Sequence, residues 1–208
     1  MNNFLKERII GFQNKVNAQG IAFTDSDIAQ LDEMYSQSHR VYHGWKHIEC
    51  CLRRFESVEE MFEEPLSILA AMFYHDAIFE LNSPTNEAES AQLAYEVFKS
   101  NEEFAQRVKL LIEDTEYSGE QRLFDNDADL MKDIDFSSFT KPFDEFWQDV
   151  IDLIEEDPDK SKEKRIDFYR VILSGEFKLF RTEHFKETYS DQVKVNLLQG
   201  IEKLQQMD

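Results

Sequence analysis

His75 and Asp76 stand side by side at the end of an apolar run, Leu69-Ala70-Ala71-Met72-Phe73-Tyr74, and both side chains are metal-ligand types. Three histidines, His39, His43 and His47, lie upstream, and three aspartates, Asp125, Asp127 and Asp129, lie downstream. A His…His-Asp…Asp order suits a one-metal site, because imidazole and carboxylate together accept Mn, Fe, Co, Ni or Zn. The apolar approach places both polar groups of the pair at the edge of a core, where an unpartnered carboxylate is costly. Two neutral imidazoles and two carboxylates would neutralise a divalent cation and leave open positions for water or a substrate oxygen.

Such side chains need rigid elements to hold them, and apolar residues here recur at helical spacing. Phe4, Ile9, Ile10, Phe12 and Val16 mark a first helix, and Thr24-Asp25-Ser26-Asp27 caps a second that carries Ile28, Leu31 and Met34. Gly44 precedes a third, from Trp45 through Phe62, which carries His47. Pro65 opens a fourth that ends at His75-Asp76. After the loop Asn82-Ser83-Pro84-Thr85, a helix capped by Thr85 or Asn86 bears Ala91, Ala94, Tyr95 and Phe98. Phe104–Thr115, a turn beginning near Asp127, Phe143–Ile154, Ile166–Leu173 and Val193–Leu204 complete the set. With only 6 Gly and 4 Pro, the expectation is all-α. Helices of the usual length of about 11–12 residues would number about eight to ten.

The 208 residues favour one domain over 1–208, and 41% hydrophobic content favours a globular chain. The formal net charge of −20 repels nucleic-acid backbones and anionic lipid, so no nucleic-acid polymer and no membrane is expected as a partner. Cys50 and Cys51 are adjacent, which reads as reduced, helix-borne thiols rather than a disulfide framework. No apolar run reaches the length of about 18 residues that spans a bilayer, and Met1–Phe12 lacks a signal-peptide core. A cytoplasmic location is the expectation, and the pattern sets no oligomeric state.

Several stretches resemble the HD-superfamily metal-dependent phosphohydrolases, and in particular a bacterial branch of HD phosphohydrolases of about this length. Arg40-Val41-Tyr42-His43-Gly44-Trp45-Lys46-His47-Ile48 looks like the first histidine motif, and Phe73-Tyr74-His75-Asp76-Ala77-Ile78-Phe79 like the His-Asp motif. Asn86-Glu87-Ala88-Glu89-Ser90-Ala91 is similar to the acidic motif that follows, Asp127-Ala128-Asp129-Leu130 to the last aspartate motif, and Asn196-Leu197 also fits. The resemblance implies an HD-type helical bundle with His47, His75, Asp76 and Asp129 as ligands of one divalent ion (Mn, Mg, Co, Ni, Fe or Zn). Asp127 is the rival for the last place, with a helix N-cap as its alternative. Thr115-Glu116-Tyr117-Ser118 departs from the branch, which often has histidine where Ser118 stands.

The implied activity is hydrolysis of a small phosphorylated metabolite, such as a nucleotide, by a metal-bound water. Asp76 and Glu87 would be catalytic, with Glu87 managing the proton; its alternative role is a favourable charge in a helix's first turn. His43, just before the helix start at Gly44, would face substrate. Arg40 and Lys46 are the nearest cations for a phosphate, with a surface salt bridge as the alternative. The competing reading is a non-catalytic, metal-containing HD-like module that binds or senses a ligand.

Overall fold

The computed structural model describes residues 1–116, 123–160 and 162–207. Among these, ten α-helices and two 3-10 turns make up the secondary structure, an all-α fold as expected. Ser118 lies outside the described residues.

Helix α1 (Asn3–Ala18) buries Leu5, Ile9, Phe12 and Val16, a stripe at 3- and 4-residue intervals. Helix α2 (Asp25–Tyr35) begins with the expected capping box, in which Thr24 and Asp27 satisfy each other's backbone N–H. Helix α3 spans Trp45–Val58 and passes into a 3-10 turn over Glu59–Met61, shorter than the expected run to Phe62. Gly44 starts it for a steric reason. A Cβ there would lie 3.1 Å from the Tyr35 carbonyl oxygen, a tight approach that glycine relieves without moving either backbone.

Helix α4 (Pro65–Tyr74) is the centre of the molecule. Every residue from Ser67 to Tyr74 is buried, and α1, α3, α5, α6 and α7 pack around it. A helix apolar on all sides belongs in a core, and this one reads that way in sequence. Helices α5 (Asn86–Phe98) and α6 (Glu102–Glu113) pair closely with each other and cover one flank of α4. At the start of α5, Asn86 does not cap; its side chain bonds the backbone N–H and carbonyl of Glu80 and ties down the intervening loop.

Helix α7 (Asn126–Asp135) is capped by Asp125, which accepts the Ala128 N–H. Its second residue, Asp127, reaches across to accept the backbone N–H groups of Glu63 and Glu64 at 2.9 and 2.7 Å. Those donors sit at the mouth of α4, so α4 and α7 start side by side and run alongside each other. Asp133, fully buried, accepts from the backbone of Arg181 (2.6 Å) and Thr182 (2.9 Å) and from the Thr182 hydroxyl. That ties the end of α7 to the start of α10.

Helices α8 (Phe143–Glu156), α9 (Lys162–Ser174) and α10 (Glu183–Gln206) form the remaining wall. Helix α10 begins ten residues before the expected Val193. Its first turns are mostly polar, so hydropathy does not reveal them, but Thr182 caps the helix and Phe185 anchors it in the core. Asn196, also fully buried, donates to the Phe139 and Lys141 carbonyls and satisfies the backbone after the 3-10 turn Phe136–Thr140. Buried apolar residues from α1 through α10 form one continuous cluster. No described helix is long and apolar enough to cross a membrane.

Arg107 meets Asp125 through two bonds of 2.8 and 2.9 Å. This pairing, with the cap bond to Ala128, holds the Asp125 carboxyl below its usual range. A depressed acid contributes stability above its unfolded value of about 3.9 and loses that contribution as pH falls through the folded value. Asp125→Ala should therefore cost about 1 kcal/mol at pH 7. The gap to the wild type should shrink in thermal melts taken progressively below pH 4; an unchanged gap in acid would show that charge plays no part.

Candidate metal centre

His47 lies in the first turn of α3, and its ring enters the core because Trp45, Ile48, Cys51 and Leu52 fix the buried face of that helix. His75 caps the C-terminus of α4, one residue before Asp76. The Nε2 atoms of His47 and His75 are 3.1 Å apart. Asp76 Oδ2 lies 3.5 Å from the first and 3.4 Å from the second. Asp135 Oδ1, from the last residue of α7, lies 3.2 and 3.5 Å from the same two nitrogens. Cys51 Sγ stands 3.6 Å from His47 Nε2.

These spacings fit a cation. Bonds of about 2.0–2.2 Å to N and O place neighbouring ligand atoms about 3.0–3.5 Å apart. The donor chemistry fits as well. His75 Nδ1 lies 3.0 Å from the Met72 carbonyl oxygen, which requires a proton on Nδ1 and leaves Nε2 directed at the pocket. His47, Cys51, His75 and Asp135 form a largely buried group able to hold a metal ion, with Asp76 against both imidazoles.

The aspartate of α7 that the structure brings to the two imidazoles is Asp135, not the expected Asp129. Six helical residues separate them, a rise of about 9 Å and a rotation to another face, so one helix cannot offer both to the same point. The Asp129 carboxylate instead lies 3.6 Å from Arg181, which also pairs with Asp114. Its rival, Asp127, is occupied at the start of α4, and Asp125 rather than Asp127 caps α7. Asp133-Ile134-Asp135 repeats the Asp-x-Asp spacing of Asp127-Ala128-Asp129, a signal in the sequence that went unread. Cys51 was missed too, although it follows His47 by four residues and so shares its helix face. No family model, curated protein or solved structure matches this chain.

Around the pocket, the expected substrate cations are committed to the protein. Arg40 is buried, and its guanidinium donates to the carbonyls of His43 (3.2 Å), Asp76 (2.5 Å) and Ala77 (2.8 Å) and to Gln37. It buttresses the backbone that carries Asp76. The Lys46 ammonium pairs with Asp149 (3.0 Å) and Asp152 (2.5 Å) of α8. It lines a groove of about 490 Å³ beside α3, with Cys50, Arg54 and Lys141, and none of the four metal-facing residues lines that groove. Lys132 is buried, its ammonium against the Thr115 and Glu116 carbonyls.

The structure places His43 beside His47, and Glu87 within electrostatic reach of Asp76 and Asp135. The His43 ring stacks on Phe79 at 4.5 Å and lies 5.9 Å from the His47 ring. Glu87, half-buried in the first turn of α5, has its carboxyl raised by burial and then by the negative charges of Asp76, Glu116 and Asp135. Burial opposes charge on His75, yet Asp76 and Asp135 outweigh it and raise the ring to about 9. Burial likewise works against the Asp135 carboxylate, but His47 and His75 hold it well below the usual range.

Two outcomes check this geometry. Asp135→Asn should weaken binding of added Mn or Zn by about a hundredfold or more, whereas Asp129→Asn should retain it, measured as metal per chain after dialysis. Because His75 keeps a proton below pH 9 that a metal must displace, uptake should release protons and tighten from pH 6 toward pH 9. Calorimetry in buffers of different ionisation enthalpy reads that release, and a pH-independent affinity would contradict the assignment.

Proposed function

We propose that this chain is a metal-dependent phosphohydrolase of the HD type, acting on a small phosphorylated metabolite. The observation that carries the reading is the approach of one carboxylate oxygen each from Asp76 and Asp135 to within 3.2 to 3.5 Å of the His47 and His75 Nε2 atoms, which are themselves 3.1 Å apart. They arrive in the order His, His-Asp, Asp, the order that the likeness of Arg40–Ile48 and Phe73–Phe79 to that superfamily implies. The same residues would hold one divalent ion, with Mn, Mg, Co, Ni, Fe and Zn all compatible with imidazole and carboxylate donors.

When bound, that ion supplies Lewis acidity toward a phosphoryl oxygen and lowers the pKa of water. The chain's own residues do the rest. His75 is held in one tautomer by Met72, and Asp76 is held by the Arg40 clamp on its carbonyl. Glu87 accepts the proton of the attacking water. A half-buried carboxylate raised by burial and like charge is a better base than an exposed one. Water oxygen bonds to phosphorus as the ester or anhydride oxygen departs.

The engagement of Arg40 and Lys46 by protein groups favours one second reading, a module that retains metal and senses a ligand without turnover. A screen of phosphomonoesters and nucleotides with Mn, Co, Mg or Zn separates the two. Turnover should appear with at least one metal, and Asp76→Ala should reduce it by about a hundredfold or more, the scale of losing a metal-site group or an electrostatic contact to the transition state. Metal binding without hydrolysis of any substrate would favour the sensor, and full activity in Asp76→Ala would remove this mechanism.

A further inference from the structure

Glu156 ends α8, more than a hundred residues from the loop that carries His43, yet its side chain is only 2% exposed and turned onto that loop. Its Oε2 accepts the backbone N–H groups of Tyr42 (2.8 Å) and His43 (2.9 Å). Its Oε1 pairs with His43 Nδ1. One buried carboxylate thus takes three donors from two consecutive residues, and the third is an imidazole. The ring is also fixed by its faces. Phe79 stacks on it at 4.5 Å, and Tyr42 meets it edge-on at 4.9 Å.

A ring held this way has one nitrogen left to offer. His43 Nε2 makes no hydrogen bond among the described residues, while Nδ1 is taken. The ring stands beside His47, on the rim of the metal pocket, and its side chain is 24% exposed. Arg40 and Lys46 have their charged ends on protein groups, so neither is a ready contact for a substrate anion. A carboxylate on one imidazole nitrogen supports the doubly protonated ring, whose other N–H is then a charge-assisted donor.

We propose that Glu156 is a positioning residue, and that the Glu156–His43 pair is the element that binds a phosphoryl oxygen of the substrate through His43 Nε2–H. This rests on the phosphohydrolase reading. It adds that anion recognition beside the metal comes from a carboxylate-anchored histidine, not from Arg40 or Lys46.

Orthophosphate is the probe, titrated calorimetrically into Mn-loaded protein. The wild type should bind it. Glu156→Gln and His43→Gln should each bind it about tenfold more weakly, the loss expected for one charge-assisted hydrogen bond, with Mn content unchanged. In turnover, KM should rise in both variants while the metal requirement stays as in the wild type, which a general loss of packing would not produce. Nitrogen-15 NMR of His43 in the wild type should show both ring nitrogens protonated at neutral pH, a readout independent of hydrolysis and of either variant folding. Phosphate binding by the wild type that both variants retain in full, or a His43 ring without a proton on Nε2, overturns this inference and leaves the hydrolase reading standing. If the Mn-loaded wild type binds no orthophosphate, this inference falls, while the hydrolase reading is decided by the turnover screen.

Discussion

A helix that is apolar on every side has to end somewhere, and α4 ends inside the protein with an imidazole and a carboxylate. His75 is 3% exposed and follows eight buried residues, so its ring cannot turn to water. A buried imidazole beside a carboxylate needs partners on every polar atom. The surroundings supply them from three directions: the Met72 carbonyl from below, His47 from α3, and Asp135 from α7. The rest of the architecture can be read as the means of bringing those partners to that point. Asp127 aligns the starts of α4 and α7, Asp133 fixes the end of α7 against α10, and Gly44 lets α3 begin close to the preceding loop.

The acidity of the chain makes its cations informative. In a protein of net charge −20, an arginine or lysine near a metal pocket invites assignment to a phosphate. The geometry gives them other work. Arg40 satisfies the carbonyls of Asp76, of the next residue Ala77 and of His43, Arg181 pairs with Asp114 and Asp129, and Lys46 lies between two acids of α8. These contacts set the backbone and the helix packing around the pocket. The carboxylates against the imidazoles, Asp76 and Asp135, with Glu87 near enough to feel their charge, then remain a concentration of negative charge that suits a divalent cation.

Much of the fold was legible because apolar periodicity reports which face of a helix is buried. Helices α2 and α4 begin where the cap at Thr24 and Pro65 predict, and His47, His75 and Asp76 meet as their order suggested. The failures have equally physical causes. The opening turns of α10 carry polar residues, and no hydropathy pattern marks them. Between Asp125 and Asp135 the chain offers five aspartates within a cap and one ten-residue helix, each chemically able to ligate. Their separate fates, as cap, cross-helix clamp, ion-pair partner, buried anchor and partner of the two imidazoles, depend on which neighbour each rotation angle meets.

Local composition alone therefore determined that this protein is helical, that its central helix is buried, and that a histidine and an aspartate terminate it. Those properties follow from residue type and spacing within a few turns. Which aspartate joins them, that Cys51 lies beside the imidazoles, and that Glu156 anchors His43 were decided by tertiary structure. The reason is range. A helix fixes where its own side chains point to within a rotation about its axis, but the contacts that choose between candidates cross 28 residues from His47 to His75 and 113 from His43 to Glu156.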